Sequence, residues 1–333
     1  MSHKRWMIVL LAGVLALGLA AVPGYAANRA VAKRPLAEKT FDSKAAMITA
    51  ADTYLSSSPA HVISDANLYA AIQAKDASYQ IVDIRSAEHY ALGHIDGAIN
   101  IPFTTIADDA SLAKLDSTKK IVVVCYTGET ASMTTMVWGM LGYNTRALMF
   151  GMSGWVADKA IVGFDIWNGQ AAGYPTVTKV PVATRTFRAP KIRAEYANVA
   201  QAIKGQAKAY FAKNRSPIIT AADVNRVVLT KDPRYQIISV RESADYATGH
   251  IKGATNIVWK DIADQMTKLD PRKTIIIYCY TGNLGGESAM FLNLMGYNAY
   301  NMMSGMSAWN NDAAVGGFAG YDPSKVANYP TVK

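Results

Sequence analysis

The sequence predicts an α/β protein of two tandem domains, each a mainly parallel sheet flanked by helices. Residues 81–100 align with residues 237–256 at an offset of 156, and the match resumes at an offset of 154 from the two cysteines to residues 151–153 and 305–307. Two similar tails follow, residues 174–177 and 329–332. Within each copy, short β-branched runs alternate with stretches of helical periodicity, the order that builds parallel sheets. A period this long that occurs only twice indicates two domains and not a solenoid.

The domain boundaries follow from the repeat. The chain has 333 residues and 50% hydrophobic content, enough for two ordinary cores. We expect domain one at residues 27–167, a linker rich in Gly, Pro, Thr and Val at residues 168–190, and domain two at residues 191–333. These two domains are called copy one and copy two below.

The first 26 residues have the three parts of a secretory signal peptide. Lys4 and Arg5 precede an apolar run over residues 8–22, and small residues then supply a cleavage site. The run is short for crossing a bilayer, although a retained anchor is the alternative. We expect signal cleavage, a periplasmic or otherwise exported location, and no stable membrane insertion afterwards.

Each copy is expected to open with a helix, over residues 43–57 or 195–213, and a second helix then starts at an N-cap, Ser64 or Thr220. Three strands are predicted in each copy, at residues 79–84, 98–101 and 121–124 in copy one and at residues 235–240, 254–258 and 274–278 in copy two. The third strand is a continuous β-branched run, typical of a strand buried on both faces.

The next helix in each copy carries an apolar stripe. Its members are Met133, Met136, Val137, Met140 and Leu141 in copy one, and Met290, Phe291, Leu294 and Met295 in copy two. Methionines at helical spacing indicate core packing more than a metal or cofactor site. Gly142 is the residue expected to end the helix of copy one.

The only two cysteines, Cys125 and Cys279, occupy the same place in the two copies, after the third strand and before a glycine turn. A strand, a tight turn and a helix N-terminus can point backbone N–H groups and the helix dipole at a thiolate or at an anion. This placement predicts a reactive thiol. The alternatives are an inert thiol at a strand end and a disulfide between the two cysteines.

Several motifs, in the same order in both copies, carry a family resemblance. Copy one has DxR at residues 83–85, GHIxGAxNIP at 93–102, CxxG at 125–128 and GMSGW at 151–155; copy two has Arg241, GHIxGAxNI at 249–257, CxxG at 279–282 and GMSAW at 305–309. The chain resembles the rhodanese family over nearly all of both copies. The resemblance implies two rhodanese-like α/β domains whose loop cysteine accepts a sulfane sulfur as a persulfide.

The resemblance also implies the site residues. Cys279 and Cys125 would be catalytic. The substrate-binding loops would be Tyr280, Thr281, Gly282, Asn283 and Leu284 in copy two and Tyr126, Thr127, Gly128, Glu129 and Thr130 in copy one. Asp83, Arg85, Arg241 and Asp245 are expected to form supporting ion pairs, with a carboxylate near each arginine, and His94 and His250 are expected to be hydrogen-bonded turn residues.

The loops depart from the family pattern. Many active rhodaneses have a basic residue five positions after the cysteine, where this chain has Thr130 and Leu284. Glu129 should oppose ionisation of Cys125, whereas the loop of Cys279 carries no charge of its own, so Cys279 ranks above Cys125. A phosphatase related by fold would need arginine six positions after the cysteine, and Ala131 and Gly285 disfavour that function.

Two functions and one purely structural alternative remain open. The first is an exported sulfurtransferase that moves sulfur from a donor such as thiosulfate to a thiol, cyanide or a protein acceptor. The second is a low-turnover protein that binds or carries sulfur or a chalcogen oxyanion for a redox partner. A third, weaker possibility is a purely structural pair of domains.

The distribution of charge and the positions of the histidines limit the kinds of ligand and partner that we expect. Residues 27–180 have a net charge of −1 and residues 181–333 a net charge of +8, and a basic half favours a small anionic donor. The basic residues are scattered without aromatic interleaving, so no nucleic acid is expected. The five histidines and two cysteines make no spaced metal-binding set, and neither a metal nor a cofactor is expected.

Overall fold

Two five-stranded parallel sheets, one from each copy, form the framework of the protein. The computed structural model describes residues 41–57, 61–163, 168–181, 185–310, 312–316 and 320–333. The strand orders are β1-β5-β4-β2-β3 and β6-β10-β9-β7-β8, with every pair parallel. The predicted fold class is therefore confirmed.

The elements of copy one are α1 (Ser43–Ser56), β1 (Val62–Ile63), α2 (Asp65–Gln73), β2 (Tyr79–Asp83), α3 (Ala87–Leu92), β3 (Ile99–Asn100), α4 (Asp109–Leu112), β4 (Lys120–Val124), α5 (Glu129–Met140), β5 (Thr145–Leu148), α6 (Gly151–Trp155) and α7 (Lys159–Val162). The elements of copy two are α8 (Val199–Phe211), β6 (Ile218–Ile219), α9 (Ala221–Thr230), β7 (Tyr235–Ser239), α10 (Ser243–Thr248), β8 (Thr255–Asn256), β9 (Thr274–Tyr278), α11 (Asn283–Leu294), β10 (Asn298–Met302), α12 (Gly305–Trp309) and α13 (Ala313–Gly316). Short 3₁₀ turns lie at Phe103–Thr105, Trp259–Asp261, Met266–Lys268 and Pro323–Lys325.

Side-chain caps set several helix starts. The Ser64 hydroxyl accepts a hydrogen bond from the Asn67 N–H at 3.2 Å, and the Thr220 hydroxyl accepts one from the Asp223 N–H at 3.1 Å. Both predicted N-caps are confirmed. The helix predicted from residue 195 begins later, at Val199, because the side chain of Asn198 caps it.

The two central strands, β4 and β9, lead directly into the two loops that contain the cysteines. Their apolar side chains are fully buried, as expected for parallel strands covered on both faces. A cysteine directly follows each strand, and the turn after it ends at a glycine with φ of +98°, Gly128 or Gly282. Such a φ strains residues that have a Cβ, so glycine suits both positions.

A single hydrophobic core joins the copies. Helices α5 and α11 pack against each other, and α1 and α8 pack on this pair. The largest cluster of buried side chains includes Met47 and Trp138 of copy one together with Tyr210 and Phe291 of copy two. The predicted methionine stripes lie in this cluster, with Leu141 partly buried against it, which confirms their packing role. Residues Phe41–Lys333 form one compact unit.

The two repeated tails cross between the copies. Strap one, residues 174–177, pairs with copy two through an antiparallel bridge between Val177 and His250. Strap two, residues 329–332, pairs with copy one through a bridge between Val332 and His94. Strap one lies inside the segment predicted as a linker, and the predicted domain boundaries remain a prediction.

Tryptophans of the short helices α6 and α12 hold the straps. The indole N–H of Trp155 donates to the Pro330 carbonyl at 3.0 Å, and that of Trp309 donates to the Pro175 carbonyl at 3.1 Å. Each copy thus packs against a piece of chain that comes after the sheet of the other copy in the sequence.

The predicted signal peptide, residues 1–26, lies outside the described residues. Within the part of the chain that the structure describes, no helix has the length and apolar character needed to cross a bilayer.

Candidate active site

Each cysteine lies at the carboxyl end of a central strand, at the start of a tight loop. Loop one comprises residues 125–130 and loop two comprises residues 279–284. The Gly128 N–H donates to the Cys125 Sγ at 3.0 Å, and the Gly282 N–H donates to the Cys279 Sγ at 3.1 Å. Both cysteines are free thiols with 1% of their surface exposed, so the structure contains no disulfide between them.

The Gly-Met-Ser motif after the last strand of each copy fixes these loops. In copy one, the Met152 N–H donates to the Cys125 carbonyl at 2.8 Å, and in copy two the Met306 N–H donates to the Cys279 carbonyl at 2.9 Å. A Cβ on Gly305 would lie 2.5 Å from that same carbonyl oxygen of Cys279. Only glycine allows this approach, so the motif holds the backbone on either side of the sulfur.

The tyrosine after each cysteine anchors its loop to a neighbouring helix. The Tyr126 hydroxyl lies 2.7 Å from Nδ1 of His89 and accepts from the Ser86 N–H at 3.2 Å, both at the start of α3. The Tyr280 hydroxyl donates to the Asp245 carboxylate and accepts from the Glu242 N–H at 3.1 Å, at the start of α10. These two loop residues have a positioning role.

Asp83 and Arg85 form the predicted ion pair in copy one. The pair is buried, with Nη2 of Arg85 2.7 Å from Oδ2 of Asp83. The guanidinium also donates to the carbonyls of Gly93 and Ile161, so it ties β2 to the segment before β3 and to α7. The prediction for this pair is confirmed.

The predicted carboxylate partner of Arg241 is wrong. Ser239 replaces the aspartate of copy one, and the Asp245 carboxylate accepts from Tyr280 instead of from Arg241. The buried guanidinium donates to the carbonyls of Gly249 and Val315, while its Nε makes no hydrogen bond. It lies 5.8 and 5.9 Å from the ring centroids of Tyr278 and Tyr280. In copy two the guanidinium thus has two aromatic neighbours and no carboxylate partner.

His94 and His250 are hydrogen-bonded turn residues, as predicted. Each ring stacks on a tyrosine one turn earlier, Tyr90 or Tyr246, and each Nδ1 lies 3.0 Å from the carbonyl oxygen of that tyrosine. Their backbones pair with the straps, so both histidines are part of the connection between copies.

Burial dominates the acidity of the two thiols. Desolvation raises the pKa of both above the usual value, against our expectation that the loop favours the thiolate. Backbone N–H groups of Gly285, Thr281, Gly282 and Leu284 oppose this rise at Cys279. At Cys125 the Thr130 side chain lowers the pKa, and Glu129 raises it as predicted. The loop donors are present, but they do not outweigh desolvation.

Glu129 is the first residue of α5 and Asn283 is the first residue of α11. The side chain of each contacts the loop region of the other copy. Asn283 donates through Nδ2 to the Gly128 carbonyl at 3.3 Å and to the Ser132 hydroxyl at 3.0 Å. The Glu129 carboxylate accepts from the Ser304 N–H of copy two at 3.0 Å and from the Thr127 hydroxyl. Loop two is neutral in its own residues, as predicted, yet a carboxyl group from loop one packs against it.

Two positions near loop two have roles that the sequence reasoning missed. Asn301, fully buried on β10, donates to the Gly282 carbonyl at 2.9 Å, and its Oδ1 lies 2.2 Å from the place of a Cβ on Gly285. Ser304 binds Glu129 from a left-handed turn with φ of +56°. The only signal for Asn301 is a polar residue within an apolar strand, at the place where copy one has Ala147.

Comparisons with known proteins agree with this geometry. A family model described as Rhodanese-like domain matches residues 64–158 and 227–312. The chain is 29% identical over 89 residues to the thiosulfate sulfurtransferase GlpE of Shewanella oneidensis, covering 26% of this chain and 88% of that protein. It is 28% identical over 101 residues to the thiosulfate:glutathione sulfurtransferase of Saccharomyces cerevisiae, covering 26% of this chain and 73% of that protein.

Among solved structures, a rhodanese-like domain protein from Staphylococcus aureus is 28% identical to this chain, with a TM-score of 0.27, and the match covers 28% of this chain and 89% of that one. The family model matches more than half of the chain, once in each sheet, and each match includes the cysteine and its loop. The chain therefore belongs to the rhodanese-like family and contains two such domains in tandem.

Proposed function

We propose that the protein is a sulfurtransferase that carries sulfane sulfur as a persulfide on Cys279, with Cys125 as a second and less reactive thiol. The observation that supports this most is the ring of backbone N–H groups around the Cys279 sulfur, which has no acidic residue of its own loop beside it. The same donors that stabilise a thiolate can stabilise the terminal sulfur of a persulfide. The names of the thiosulfate sulfurtransferase relatives point to the same reaction.

The reaction conserves charge and needs no cofactor. The Cys279 thiolate attacks the outer sulfur of thiosulfate, the S–S bond of the donor breaks, and sulfite leaves with the electron pair. A nucleophile such as cyanide or a thiolate then attacks the outer sulfur of the persulfide. The Cys279 thiolate leaves with its electron pair, so the enzyme returns to its starting state.

Access to the sulfur requires movement of the loops. Both sulfurs are almost fully buried, so a donor reaches Cys279 only after the contacts between the two loops separate. Separation also lowers the desolvation that raises the thiol pKa, while the backbone donors of loop two remain. Donor entry and thiolate formation are therefore coupled in this proposal.

Steady-state turnover tests the proposal. With thiosulfate as donor and cyanide as acceptor, we expect thiocyanate formation with ping-pong kinetics. Cys279→Ala should lower kcat by about a hundredfold or more, the scale for loss of a covalent nucleophile, whereas Cys125→Ala should lower it by less than about threefold. Equal loss in the two variants would contradict the ranking of the thiols.

A second candidate is a sulfur or chalcogen-oxyanion carrier with little turnover of its own. The burial of both sulfurs and the lack of Lys or Arg in either loop favour it. A carrier would form the persulfide and retain it in the presence of cyanide, and it would release sulfur only to a redox partner protein. Retention of the persulfide together with background thiocyanate formation would favour the carrier.

We further propose export to the periplasm or beyond, with residues 1–26 removed, and a small anionic donor with a thiol or protein acceptor. The signal-like composition of that segment supports export. Sequencing the N-terminus of the protein recovered from a periplasmic fraction tests this. We expect a start near residue 27, and recovery of the intact N-terminus from the cytoplasm would contradict it.

A further inference from the structure

Residues 129 and 283 are equivalent in the repeat, four positions after their cysteines, but they differ in charge. Both side chains cross to the other copy. Asn283 brings a neutral amide to the Gly128 carbonyl, and Glu129 brings a carboxyl group to the Ser304 N–H. The boundary of each loop is thus formed partly by the other copy, and only loop two faces an acidic group from across the interface.

The Glu129 carboxyl group lies directly against the backbone that surrounds Cys279. A Cβ built on Gly282 would be 2.7 Å from Cγ and 2.8 Å from Oε1 of Glu129. The N–H of that same Gly282 donates to the Cys279 sulfur at 3.1 Å. One residue therefore separates the sulfur from the carboxyl group, and Gly282 must lack a side chain for this approach.

Glu129 is a carboxyl group bound inside the protein; burial raises its pKa, while the Thr127 hydroxyl and the Ser304 N–H lower it. Its side chain is 2% exposed, and its partners are the Ser304 N–H and the Thr127 hydroxyl. Among the described residues, no lysine or arginine forms an ion pair with it. A backbone N–H and a hydroxyl are donors that favour the ionised form of a carboxyl group, so they oppose the effect of burial at this position.

We propose that Glu129 is the donor-specificity residue of the Cys279 site and acts across the interface between the copies. Its carboxyl group takes the place of one anionic oxygen of a donor. Cys279 therefore accepts sulfur from donors with at most one negative charge, such as organic thiosulfonates and hydropersulfides, in preference to the thiosulfate dianion. This inference rests on the proposed sulfurtransferase function.

The chemical step is the same for a thiosulfonate. The Cys279 thiolate attacks the outer sulfur of methanethiosulfonate, the S–S bond breaks, and methanesulfinate leaves with the electron pair. Methanethiosulfonate differs from thiosulfate by a methyl group in place of one charged oxygen. The two donors therefore have similar size and differ by one unit of charge, which is the property that Glu129 should select.

The test uses the Cys125→Ala protein, in which Cys279 is the only thiol, and measures the second-order rate of persulfide formation with each donor. We expect methanethiosulfonate to react about tenfold or more faster than thiosulfate, relative to their rates with a small-molecule thiolate. Adding Glu129→Gln, which keeps the shape and removes the charge, should raise the thiosulfate rate about tenfold and change the thiosulfonate rate much less. Glu129→Asn, which copies the residue at position 283, should have the same effect if Glu129→Gln fails to fold.

Glu195→Gln is the matched control, because it removes the same charge at an exposed position remote in sequence from both loops. It should leave the ratio of the two rates unchanged. An unchanged ratio in both Glu129 variants, or an equal change in Glu195→Gln, would overturn the inference while persulfide formation itself still supports the function. Failure of either donor to form a persulfide in any variant would instead contradict the proposed function.

Discussion

Single differences between the two copies change the chemistry of matching positions. Copy one neutralises its buried arginine with Asp83, whereas copy two has Ser239 and surrounds Arg241 with the rings of Tyr278 and Tyr280. Tyr278 replaces Val124 at the end of the central strand. An aromatic face can stabilise a guanidinium, so the two rings offset part of the loss of the carboxylate, while the Arg241 Nε keeps no hydrogen-bond partner.

Removing the carboxylate of copy one should therefore be costly. Asp83→Ala leaves the Arg85 guanidinium buried without its partner, and we expect the free energy of unfolding to fall by about 3 kcal/mol. Ser239→Ala, the matched control, should lose less than about 1 kcal/mol, since that hydroxyl accepts a long hydrogen bond of 3.4 Å from the Arg241 backbone N–H and the guanidinium donates to the carbonyls of Val315 and Gly249 instead. Urea unfolding measures both. Equal losses in the two variants would show that Asp83 does not stabilise Arg85.

The raised thiol pKa values predict the pH dependence of reactivity. A pKa above the usual value means that the thiolate forms only as pH rises past the range of a free thiol, about 8.5. In single-cysteine variants, the rate of iodoacetamide alkylation should keep rising beyond that pH. At pH values where both thiols are mostly protonated, Cys125 should react more slowly than Cys279, because Glu129 raises the pKa of Cys125. Rates that already level off near neutral pH would contradict this account.

The sequence could predict part of this site. The cysteine loops, the Asp83–Arg85 pair and the effect of Glu129 on Cys125 follow from local motifs. The contact of Glu129 with loop two could not be predicted, since it depends on the packing of α5 against α11. The same reason explains why burial of the thiols, which raises their pKa, was not foreseen.

At the scale of elements, the straps do more than join the copies along the chain, because each strap packs against the other copy. In strap two, the ring of Tyr329 packs against Tyr69 and Trp155 of copy one. Its centroid is 4.2 Å from that of Tyr69 and 4.8 Å from that of Trp155. Strap one lays Tyr174 against Trp309 of copy two, with centroids 5.0 Å apart. The ends of the two copies thus stabilise each other's short tryptophan helices.

Removing a strap aromatic should weaken the copy that it contacts. Tyr329→Ala loses two ring contacts, and we expect a loss of about 1–2 kcal/mol and faster hydrogen exchange at α6 of copy one. In Tyr174→Ala, the matched variant, the faster exchange should appear at α12 of copy two. Faster exchange in the copy that precedes each strap in the sequence would contradict the crossed arrangement.

The main helices and central strands could be predicted because periodicity and capping residues are local signals. The N-caps Ser64 and Thr220 and the ends of α1 and β9 agree closely with the sequence prediction. The crossing of the straps could not be predicted, because residues 174–177 and 329–332 have no periodicity and their partners lie far away in sequence.

At the scale of the whole molecule, a buried polar network adds to the shared core. The Glu287 carboxylate of α11 accepts hydrogen bonds from Tyr54 at 3.3 Å and Thr135 at 3.1 Å, and Nδ1 of His61 lies 3.2 Å from it. All three partners belong to copy one. Buried polar groups need partners, so the network allows few other arrangements of the two copies.

A shared core predicts cooperative unfolding. Because α1, α5, α8 and α11 bury their apolar faces together, separating the copies would expose the largest hydrophobic cluster. We expect one urea transition, coincident by circular dichroism and tryptophan fluorescence. Two separate transitions would show that the copies are independently stable domains. The repeat in the sequence predicts two copies, but it carries no information on how much core they share.

The most direct measurement of the central claim is the intact mass of the two single-cysteine variants after treatment with thiosulfate or methanethiosulfonate. We predict that Cys125→Ala gains the mass of one sulfur atom and loses it when cyanide is added, whereas Cys279→Ala gains it more slowly. If Cys279→Ala takes up sulfur while Cys125→Ala does not, or if neither variant does, Cys279 is not the sulfur-carrying residue of this protein.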